Sequence, residues 1–369
     1  MSVAAGSVEA LQEAVRQGPR VLPHGAGTKP ALSAPPDDAV ALDVSGLSGI
    51  LEHDPAELTF TALAGTPVGE VTEALAEHGQ YLPFDPPLAA AGATLGGVVA
   101  TGASGPNAFR HGGVRDFIVG VRFIDGTGRL VTGGGKVVKN AAGFDLAKLM
   151  IGSAGRLGVL VQLSFKVFPR PEATTTLRVD LGSTDAALGA MATLGRGPLD
   201  LDALDLEPPG RLILRLGGAR ETLASRAARL ESSLDAPAER LDEAADAQEW
   251  RHAAELGWVP AGSTLVKVGL TARRVPGLEA VLGDAGGRGR YSLGANVAWV
   301  AWPAERPQGD VELVERPLGE LDVALRSLEL AGLVLSGPPG HLLLGRTGAG
   351  AFAARVRTAL DPHGRFLEL

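Results

Sequence analysis

PPLAAAGATLGGVVATGASGP at residues 86–106 and GGGKVVKNAAGFDLAKLMIGSAGRLGVL at residues 133–160 are two stretches of this chain that are rich in glycine. Glycine inside ordered structure costs about 0.5–1 kcal/mol relative to alanine, so many glycines beside good strands indicate that something approaches the backbone closely. Exposed backbone N–H groups can bind phosphate when no side chain stands in the way. The two stretches therefore predict a site for a large, flat, phosphate-bearing cofactor.

The common nucleotide-binding motifs do not account for these glycines. GGGK at 133–136 is not a P-loop, because Leu130 and Val137 stand where a P-loop needs Gly and Ser or Thr. The GAG at 25–27 is not a Rossmann fingerprint, because Pro30 stands at the place of the third glycine. The glycine segments must therefore be considered together as one set.

The composition limits the classes of protein to which the chain can belong. With 369 residues, 45% of them apolar, the chain can form two domains with substantial cores. A net charge of −8 without a basic block argues against a nucleic-acid partner. The absence of cysteine excludes disulfides, cysteinyl-flavin links and iron–sulfur clusters held by this chain.

The sequence shows neither a signal peptide nor a membrane-spanning segment, so we expect a soluble cytoplasmic protein. No apolar run is long enough to cross a membrane, so we expect no direct membrane insertion. The N-terminal residues MSVAAGSVEALQEAVRQG predict an amphipathic helix rather than a signal peptide.

The first half of the chain predicts short helices mixed with strands. Ser7 is expected to cap a helix that ends at Gly18, and Thr66 to cap a helix with Pro67 in its first turn. Residues 125–128 predict a hairpin turn. Further strands are predicted at 20–23, 40–44, 58–63, 117–124, 129–132 and 159–167, and further helices at 94–100 and 144–151, the last capped by Asp145.

Pro169-Arg170-Pro171 is the predicted boundary between an N-terminal domain at 1–170 and a C-terminal domain at 171–369. Beyond it, strands and helices alternate, which predicts an α+β domain with an antiparallel sheet covered by helices on one face. No internal repeat is evident in the sequence. The strands are expected at 175–181, 211–216, 264–270, 297–302 and 341–345, and the helices at 185–194, 221–230, 248–256, 318–330 and 351–360.

Three glycine segments each lie beside a strand or short helix, at 24–29, 92–105 and 133–158. As an ordered set, they are similar to the FAD-binding domain of the vanillyl-alcohol oxidase / p-cresol methylhydroxylase (PCMH) superfamily. More narrowly, KNAAGFDLAKLMIGSAGRLGVL resembles the FAD-binding subunits of glycolate oxidases. The resemblance covers roughly residues 21–171. It implies a PCMH-type FAD-binding domain of two α+β subdomains, followed by a ferredoxin-like cap domain with an antiparallel sheet.

The resemblance assigns cofactor contacts by position. The loop that offers backbone N–H groups to the pyrophosphate comprises Gly25, Ala26, Gly27, Thr28 and Lys29. The segment that passes along the pyrophosphate and flavin comprises Gly92, Ala93, Thr94, Gly96 and Gly97. Its continuation beside the isoalloxazine comprises Gly102, Ser104 and Gly105. The strand entry that holds the adenosine side comprises Ser153, Gly155, Gly158 and Val159.

Several residues near the expected site keep a simpler alternative. The glycines can be structural turns, and Lys29 can be solvated rather than in contact with phosphate. For Lys136 we favour a position on the solvated surface. For Lys139 and Asn140, a surface position and a place in the cofactor site both remain possible interpretations. Arg115 is expected to form a surface ion pair with its neighbour Asp116, although it can also face the flavin.

The histidines predict non-covalent FAD and no metal. In relatives with a histidyl-flavin bond, the histidine follows the glycines of the first loop, whereas His24 precedes them. Relatives that oxidise 2-hydroxy acids carry an H-x-x-D-G-N-x-H metal site in the cap, and this chain has no such motif. We interpret His252, His341 and His363 as surface or strand-end residues, so no catalytic residue is assigned.

The resemblance implies the FAD-binding subunit of a glycolate oxidase/dehydrogenase complex, which takes part in the oxidation of glycolate to glyoxylate and in electron relay. Its partners would be a catalytic flavoprotein subunit and an iron–sulfur subunit, and any membrane contact would come through a partner. One alternative is a self-sufficient FAD-linked dehydrogenase of D-lactate or another small 2-hydroxy acid. Another is a non-catalytic, flavin-bearing assembly subunit.

Overall fold

The structure is a computed structural model that describes residues 2–4, 6–18, 20–135, 144–308, 312–315, 318–338, 341–346, 348 and 350–368. Its contacts divide the chain into two units. The first comprises Met1–Ser104, Gly112–Arg170 and Gly348–Leu369, and the second Gly105–His111 and Pro171–Thr347. The division differs from the predicted one at two places, because 105–111 go with the second unit and 348–369 with the first.

The secondary structure alternates between short strands and helices. The strands are β1 (Ser2–Ala4), β2 (Arg20–His24), β3 (Ala39–Asp43), β4 (Ile50–Asp54), β5 (Thr59–Leu63), β6 (Gln80–Tyr81), β7 (Ile118–Ile124), β8 (Leu130–Gly134), β9 (Val159–Lys166), β10 (Phe168–Pro169), β11 (Ala173–Asp180), β12 (Ala203–Glu207), β13 (Arg211–Gly218), β14 (Ala238–Arg240), β15 (Thr264–Gly269), β16 (Arg288–Ser292), β17 (Val297–Trp302), β18 (Glu305–Gln308), β19 (Glu312–Glu315), β20 (Ala331–Ser336) and β21 (Leu343–Gly345). The helices are α1 (Val8–Gln17), α2 (Pro30–Ser33), α3 (Val68–Ala76), α4 (Leu95–Thr101), α5 (Ala108–His111), α6 (Val114–Phe117), α7 (Leu146–Leu149), α8 (Thr184–Leu194), α9 (Arg220–Glu231), α10 (Glu243–Ala254), α11 (Val275–Ala285), α12 (Leu318–Ser327) and α13 (Ala351–Leu360).

The first unit contains a parallel sheet in the order β1-β3-β2 and an antiparallel sheet in the order β4-β5-β9-β7-β8. One apolar cluster joins them, with members from α1, β3, β7 and β9. Phe366 belongs to the same cluster, and the N–H of Val21 donates to the carbonyl of Arg365 at 2.7 Å. The C-terminal segment therefore packs in the first unit because it fills that core.

The helix starts show which capping predictions were correct. Ser7 accepts a hydrogen bond from the N–H of Ala10, and Leu11 and Val15 are fully buried, so the predicted first helix is confirmed. Thr66 does not cap α3 as predicted. Its Oγ1 donates instead to the carbonyl of Leu63 at 2.7 Å, and α3 starts after Pro67 without a side-chain cap.

Asp125 closes the predicted hairpin between β7 and β8. Its Oδ1 accepts the N–H groups of Thr127 at 2.9 Å and Arg129 at 3.1 Å. Burial alone would raise the pKa of Asp125, but the hydrogen bonds from these two residues outweigh it and hold the pKa below its ordinary value. The charged form of the carboxylate therefore stabilises the turn.

Replacing Asp125 by asparagine is expected to destabilise the hairpin by about 1–2 kcal/mol at pH 7, because the charge-assisted hydrogen bonds are lost. A lowered folded-state pKa contributes stability above the unfolded pKa and loses it as the pH falls through the folded value. The difference between the wild type and Asp125→Asn should therefore shrink below about pH 4. Hydrogen-exchange protection of residues 118–134 in the wild type and in Asp125→Asn, compared at matched pH, measures this stability difference. Equal protection of the two proteins at pH 7 would contradict the prediction.

The second unit is built on a nine-stranded antiparallel sheet in the order β14-β11-β13-β12-β16-β17-β15-β20-β21. The elements β11-α8-β12-β13-α9-β14 form one β-α-β-β-α-β motif, and β15-α11-β16-β17-α12-β20 form a second with the same strand order. The two motifs meet at β12 and β16, where a single residue pair, Leu206 with Tyr291, is in register. The predicted antiparallel α+β arrangement is confirmed, while the repeat was missed.

Candidate functional site

The first unit contains an open cavity with an empty volume of about 640 Å³, which includes the solvent space at its mouth. Three segments form its walls: the loop after β2, the start of α4 and the loop before β9. The predicted site residues on these walls are Gly25, Ala26, Gly27, Thr28, Lys29, Thr94, Gly96, Gly97, Gly155 and Gly158. The structure therefore brings together residues that are up to 133 positions apart (158 − 25).

The loop after β2 presents bare backbone to the cavity. Gly27 has φ +69°, a left-handed conformation that glycine adopts without cost. In the described part of the chain, the N–H groups of Gly25, Ala26, Gly27 and Thr28 have no protein acceptor. Successive free N–H groups on one loop are suited to bind a phosphate group.

Gly25 approaches the start of α4 so closely that a side chain has no room. A Cβ added at Gly25 would lie 2.3 Å from Oγ1 of Thr94 and 3.1 Å from its Cγ2. Thr94 caps α4, since its Oγ1 accepts the N–H of Gly97 at 3.2 Å. On the opposite side, the N–H of Gly96 donates to the carbonyl of Ala64 at 2.7 Å, and a Cβ there would come within 2.9 Å of that oxygen.

The loop before β9 completes the cavity wall. The N–H of Ala154 donates to the carbonyl of Ala100 at 2.7 Å, which ties the loop to α4. Ala154 has φ +49° and Gly155 φ +72°, so the backbone turns sharply here. A Cβ at Gly158 would meet Cδ2 of Phe123 at 2.7 Å, which explains the glycine at the strand entry. The N–H of Gly155 also has no acceptor within the described residues.

Lys29 is 5% exposed and lies on the cavity wall, which contradicts the solvated alternative. Its Nζ donates to Oγ1 of Thr28 at 3.4 Å. No carboxylate is among the described residues that line the cavity. Free N–H donors, a buried ammonium and apolar walls together suit an anionic ligand with a flat apolar part, and the cavity therefore fits the phosphate-bearing cofactor that the sequence predicts.

Other predicted site residues lie beside the cavity rather than on its wall. The carbonyl of Ala93 accepts the N–H of Val68 at 2.8 Å, so the Gly92–Ala93 segment ties α3 to α4. Gly102 ends α4 with φ +56°. Oγ of Ser104 accepts the N–H of Val114 at 3.0 Å.

The remaining predicted residues divide between the core, the second unit and the part of the chain that is not described. Val159 is fully buried in the apolar cluster of the first unit, and Ser153 has a buried Oγ without a hydrogen-bond partner among the described residues. Gly105 belongs to the second unit. Lys136, Lys139 and Asn140 lie outside the described residues.

The sequence analysis did not assign several residues that line the cavity. They are mostly small or apolar and sit next to predicted ones: Pro23, His24, Leu32, Ser33, Val44, Ala64, Ala100, Thr101, Ala154 and Leu160. Val44 ends the predicted strand at 40–44 and Ala64 directly follows the predicted strand at 58–63, and those positions were an available signal. His24 is turned to its own loop, with its Nδ1 2.8 Å from the carbonyl oxygen of Gly25.

The predicted ion pair between Arg115 and Asp116 is wrong. Asp116 accepts the N–H of Gly113 at 2.9 Å, which closes the first turn of α6, while Arg115 reaches the carbonyl of Lys148 at 3.5 Å. Among the described residues, no three His, Asp or Glu side chains are grouped so that they could hold a metal ion. None of the described helices combines the length and apolar composition needed to cross a bilayer.

Comparisons with known proteins support the same interpretation. Glycolate oxidase subunit GlcE of Escherichia coli (strain K12) is 41% identical over 197 residues, which cover 53% of this chain and 56% of that protein. D-2-hydroxyglutarate dehydrogenase of Xanthomonas citri pv. viticola is 32% identical over 206 residues, which cover 54% of this chain and 43% of that protein. The chain thus spans about half the length of the curated relatives it matches.

The fold comparison extends over the whole chain. A solved structure of alkyldihydroxyacetonephosphate synthase matches with a TM-score of 0.71 and covers 100% of this chain and 77% of that one. At 16% identity, this likeness shows the fold alone. A family model described as "FAD binding domain" matches residues 2–134, which include the loop after β2 and the start of α4. Residues 2–134 of this chain are therefore similar to that family of FAD binding domains.

Proposed function

We propose that this chain is the FAD-carrying subunit of a glycolate oxidase/dehydrogenase complex and takes part in the oxidation of glycolate to glyoxylate. The observation that carries the proposal is the cavity in which the free N–H groups of residues 25–28 and the ammonium of Lys29 face the start of α4. The 41% identity to subunit GlcE supports the choice of complex. When bound, FAD supplies the hydride and electron-transfer chemistry.

In this proposal, the chain's own residues bind and orient the cofactor. The N–H groups of the loop after β2 receive the pyrophosphate, and the small residues Gly96 and Gly97 let the ligand approach α4. The other residues assigned by the resemblance, from Gly92 to Gly105 and from Ser153 to Val159, support or extend this contact. The partners would be a catalytic flavoprotein subunit and an iron–sulfur subunit, and membrane association would come through one of them.

We propose that the FAD is held without a covalent bond. His24 precedes the glycine loop, and its Nδ1 lies 2.8 Å from the carbonyl oxygen of Gly25. Acid precipitation of the purified yellow protein should release all of the flavin into the supernatant. Flavin that stays with the pellet would contradict non-covalent binding.

Activity assays separate the subunit proposal from its alternatives. The purified chain alone, given glycolate, D-lactate and an artificial electron acceptor, should show little turnover, and co-purified partner subunits should restore glycolate oxidation. The D-2-hydroxyglutarate dehydrogenase relative favours a self-sufficient 2-hydroxy acid dehydrogenase as the second candidate. Robust turnover by the lone chain would support that candidate instead. Failure of a partner to reoxidise dithionite-reduced flavin would favour an assembly role.

Replacing Lys29 by methionine is expected to weaken FAD binding about tenfold, because the cavity wall loses its ammonium while keeping an apolar side chain of similar length. Flavin fluorescence titration of the flavin-free protein measures the dissociation constant. Lys166→Met, at the exposed end of β9, removes the same charge outside the cavity and should leave the constant unchanged. Equal affinities for the wild type and Lys29→Met would contradict a phosphate-binding role for Lys29.

A further inference from the structure

Arg156 is a buried guanidinium without an ionic partner among the described residues. It is 3% exposed, and its one hydrogen bond runs from Nη1 to the carbonyl oxygen of Ala154 at 2.7 Å. Its Nε is buried and has no hydrogen-bond partner in the part of the chain that the structure describes. Burial lowers the pKa of Arg156 to about 10, and no carboxylate offsets that burial. The side chain nevertheless carries its charge at neutral pH.

A buried charge without a partner is costly to the folded protein, so its retention requires an explanation. Among the described residues, the other arginine with a comparably small exposure is Arg290, which contacts Asp205, Glu207 and Glu249. Arg156 belongs instead to the loop before β9; it is not itself a lining residue, but its guanidinium binds the carbonyl of Ala154, which lines the cavity together with Gly155 and Gly158. An anion bound in the cavity would provide the opposite charge that the protein does not.

The hydrogen bond from Arg156 also fixes the backbone of that wall. Ala154 has φ +49°, a left-handed conformation that side-chain-bearing residues seldom adopt. Its N–H is held by the carbonyl of Ala100 and its carbonyl by Arg156, so both ends of the residue are constrained. The following N–H, of Gly155, has no acceptor within the described residues and lies on the cavity wall.

We propose that Arg156 is a positioning residue for the phosphate groups of the cofactor, which rests on the proposed FAD site. Its guanidinium holds the Ala154 carbonyl so that the Gly155 N–H stays available to a phosphate oxygen. Its charge, unpaired in the flavin-free protein, is offset when the pyrophosphate binds. Arg156 therefore lowers the stability of the flavin-free form and raises its affinity for a dinucleotide anion.

The experiment compares Arg156→Met and Arg156→Lys with the wild type in the full-length chain. Methionine keeps much of the apolar volume without charge, whereas lysine keeps the charge without the guanidinium fork. Arg156→Met is expected to weaken FAD binding by about ten- to hundredfold, and Arg156→Lys by less than about tenfold. Flavin fluorescence titration gives the dissociation constants.

Thermal unfolding of the flavin-free forms supplies the readout that a purely structural role would not produce. Because Arg156→Met removes an unpaired buried charge, its midpoint should equal or exceed that of the wild type. Inorganic pyrophosphate should raise the midpoint of the wild type and of Arg156→Lys more than that of Arg156→Met. Arg122→Met, on β7 with the neutral partner Gln162 at 3.2 Å, is the matched control and should leave FAD binding unchanged.

The outcomes distinguish the two proposals. A wild type that binds no FAD contradicts the proposed function, and this role of Arg156 with it. A wild type that binds FAD while Arg156→Met binds it equally well contradicts the role of Arg156 alone. Parallel losses of affinity and of flavin-free stability in both variants would show that Arg156 only holds the loop together, and would also overturn the proposal.

Discussion

Gly25→Ala is expected to weaken FAD binding by about a hundredfold or more. The added Cβ would lie 2.3 Å from Oγ1 and 3.2 Å from Cβ of Thr94, so the side chain of Thr94 cannot stay where it is. Overpacking of this kind costs about 1–3 kcal/mol, and here it also disturbs the cap of α4. The loop after β2 and the start of α4 both line the cavity, and both would move.

A double-mutant cycle with Thr94→Ala tests that cause. Thr94→Ala removes the two closest atoms and should itself cost about 1 kcal/mol, because α4 loses its cap. In that background, the alanine at position 25 should do less damage, with a coupling energy of about 0.5–3 kcal/mol. Flavin titration and thermal unfolding provide the two measurements. The same loss from Gly25→Ala in both backgrounds would show that contact with Thr94 is not the reason for the glycine.

Gly69→Ala is the matched control for this substitution. Gly69 lies in α3 of the same unit, and a Cβ there would meet only the carbonyl oxygen of Ala89, at an ordinary 3.9 Å. Alanine within a helix is favoured over glycine by about 0.8–1 kcal/mol, so this variant should be slightly more stable and bind FAD normally. A loss of FAD here would mean that the cavity tolerates no change of glycine anywhere in the unit.

Ten of the residues that the resemblance assigned line the cavity, and for the glycines among them close approach of neighbouring atoms leaves a local mark in the sequence. Gly25, Gly96 and Gly158 each stand where a Cβ would collide with another part of the unit. Such positions are detectable in a single sequence as glycines beside strands. Arg156 and Ala64 carry no comparable mark, since an arginine or alanine in a loop is most often a surface or filler residue. Their role depends on which segments meet in space.

The second unit shows a different limit of sequence reasoning. The strands β12 and β16 were missed because ALDLE and RGRYS carry charged residues at buried positions, which breaks the apolar alternation typical of strands. Asp205 and Arg290 are nevertheless 0% and 2% exposed. They neutralise each other across the junction of the two β-α-β-β-α-β motifs. Without these two strands, the repeat could not be recognised.

Arg290→Met is expected to destabilise the second unit by about 3–5 kcal/mol. Arg290 lies 3.0 Å from Asp205, 2.5 Å from Glu207 and 3.4 Å from Glu249. Burial alone would lower the pKa of Arg290, but the three carboxylates outweigh it and raise the pKa, so the side chain stays charged. Removing it leaves Asp205 buried with Ser292 as its remaining hydrogen-bond donor among the described residues.

The position of Arg290 makes the loss cooperative. At the junction of the two motifs, the backbone register between β12 and β16 is limited to Leu206 and Tyr291, so side chains carry much of the connection. Arg290 extends from β16 to two residues of β12 and to Glu249 of α10. Its loss should therefore allow the two halves of the nine-stranded sheet to separate at lower denaturant concentration.

Tryptophan fluorescence during urea unfolding measures this effect in the second unit, because the four tryptophans, at 250, 258, 299 and 302, all lie there. Arg211→Met is the control: its guanidinium is half exposed and 3.8 Å from Glu207, and such pairs are worth less than about 1 kcal/mol. Arg290→Met should then lower stability, whereas Arg156→Met should leave the stability of the flavin-free protein unchanged or raise it, although both remove a guanidinium that is almost fully buried. The sign depends on whether the protein itself supplies the counter-charge. An Arg290→Met transition at the wild-type midpoint would show that the carboxylates are neutral in the folded protein.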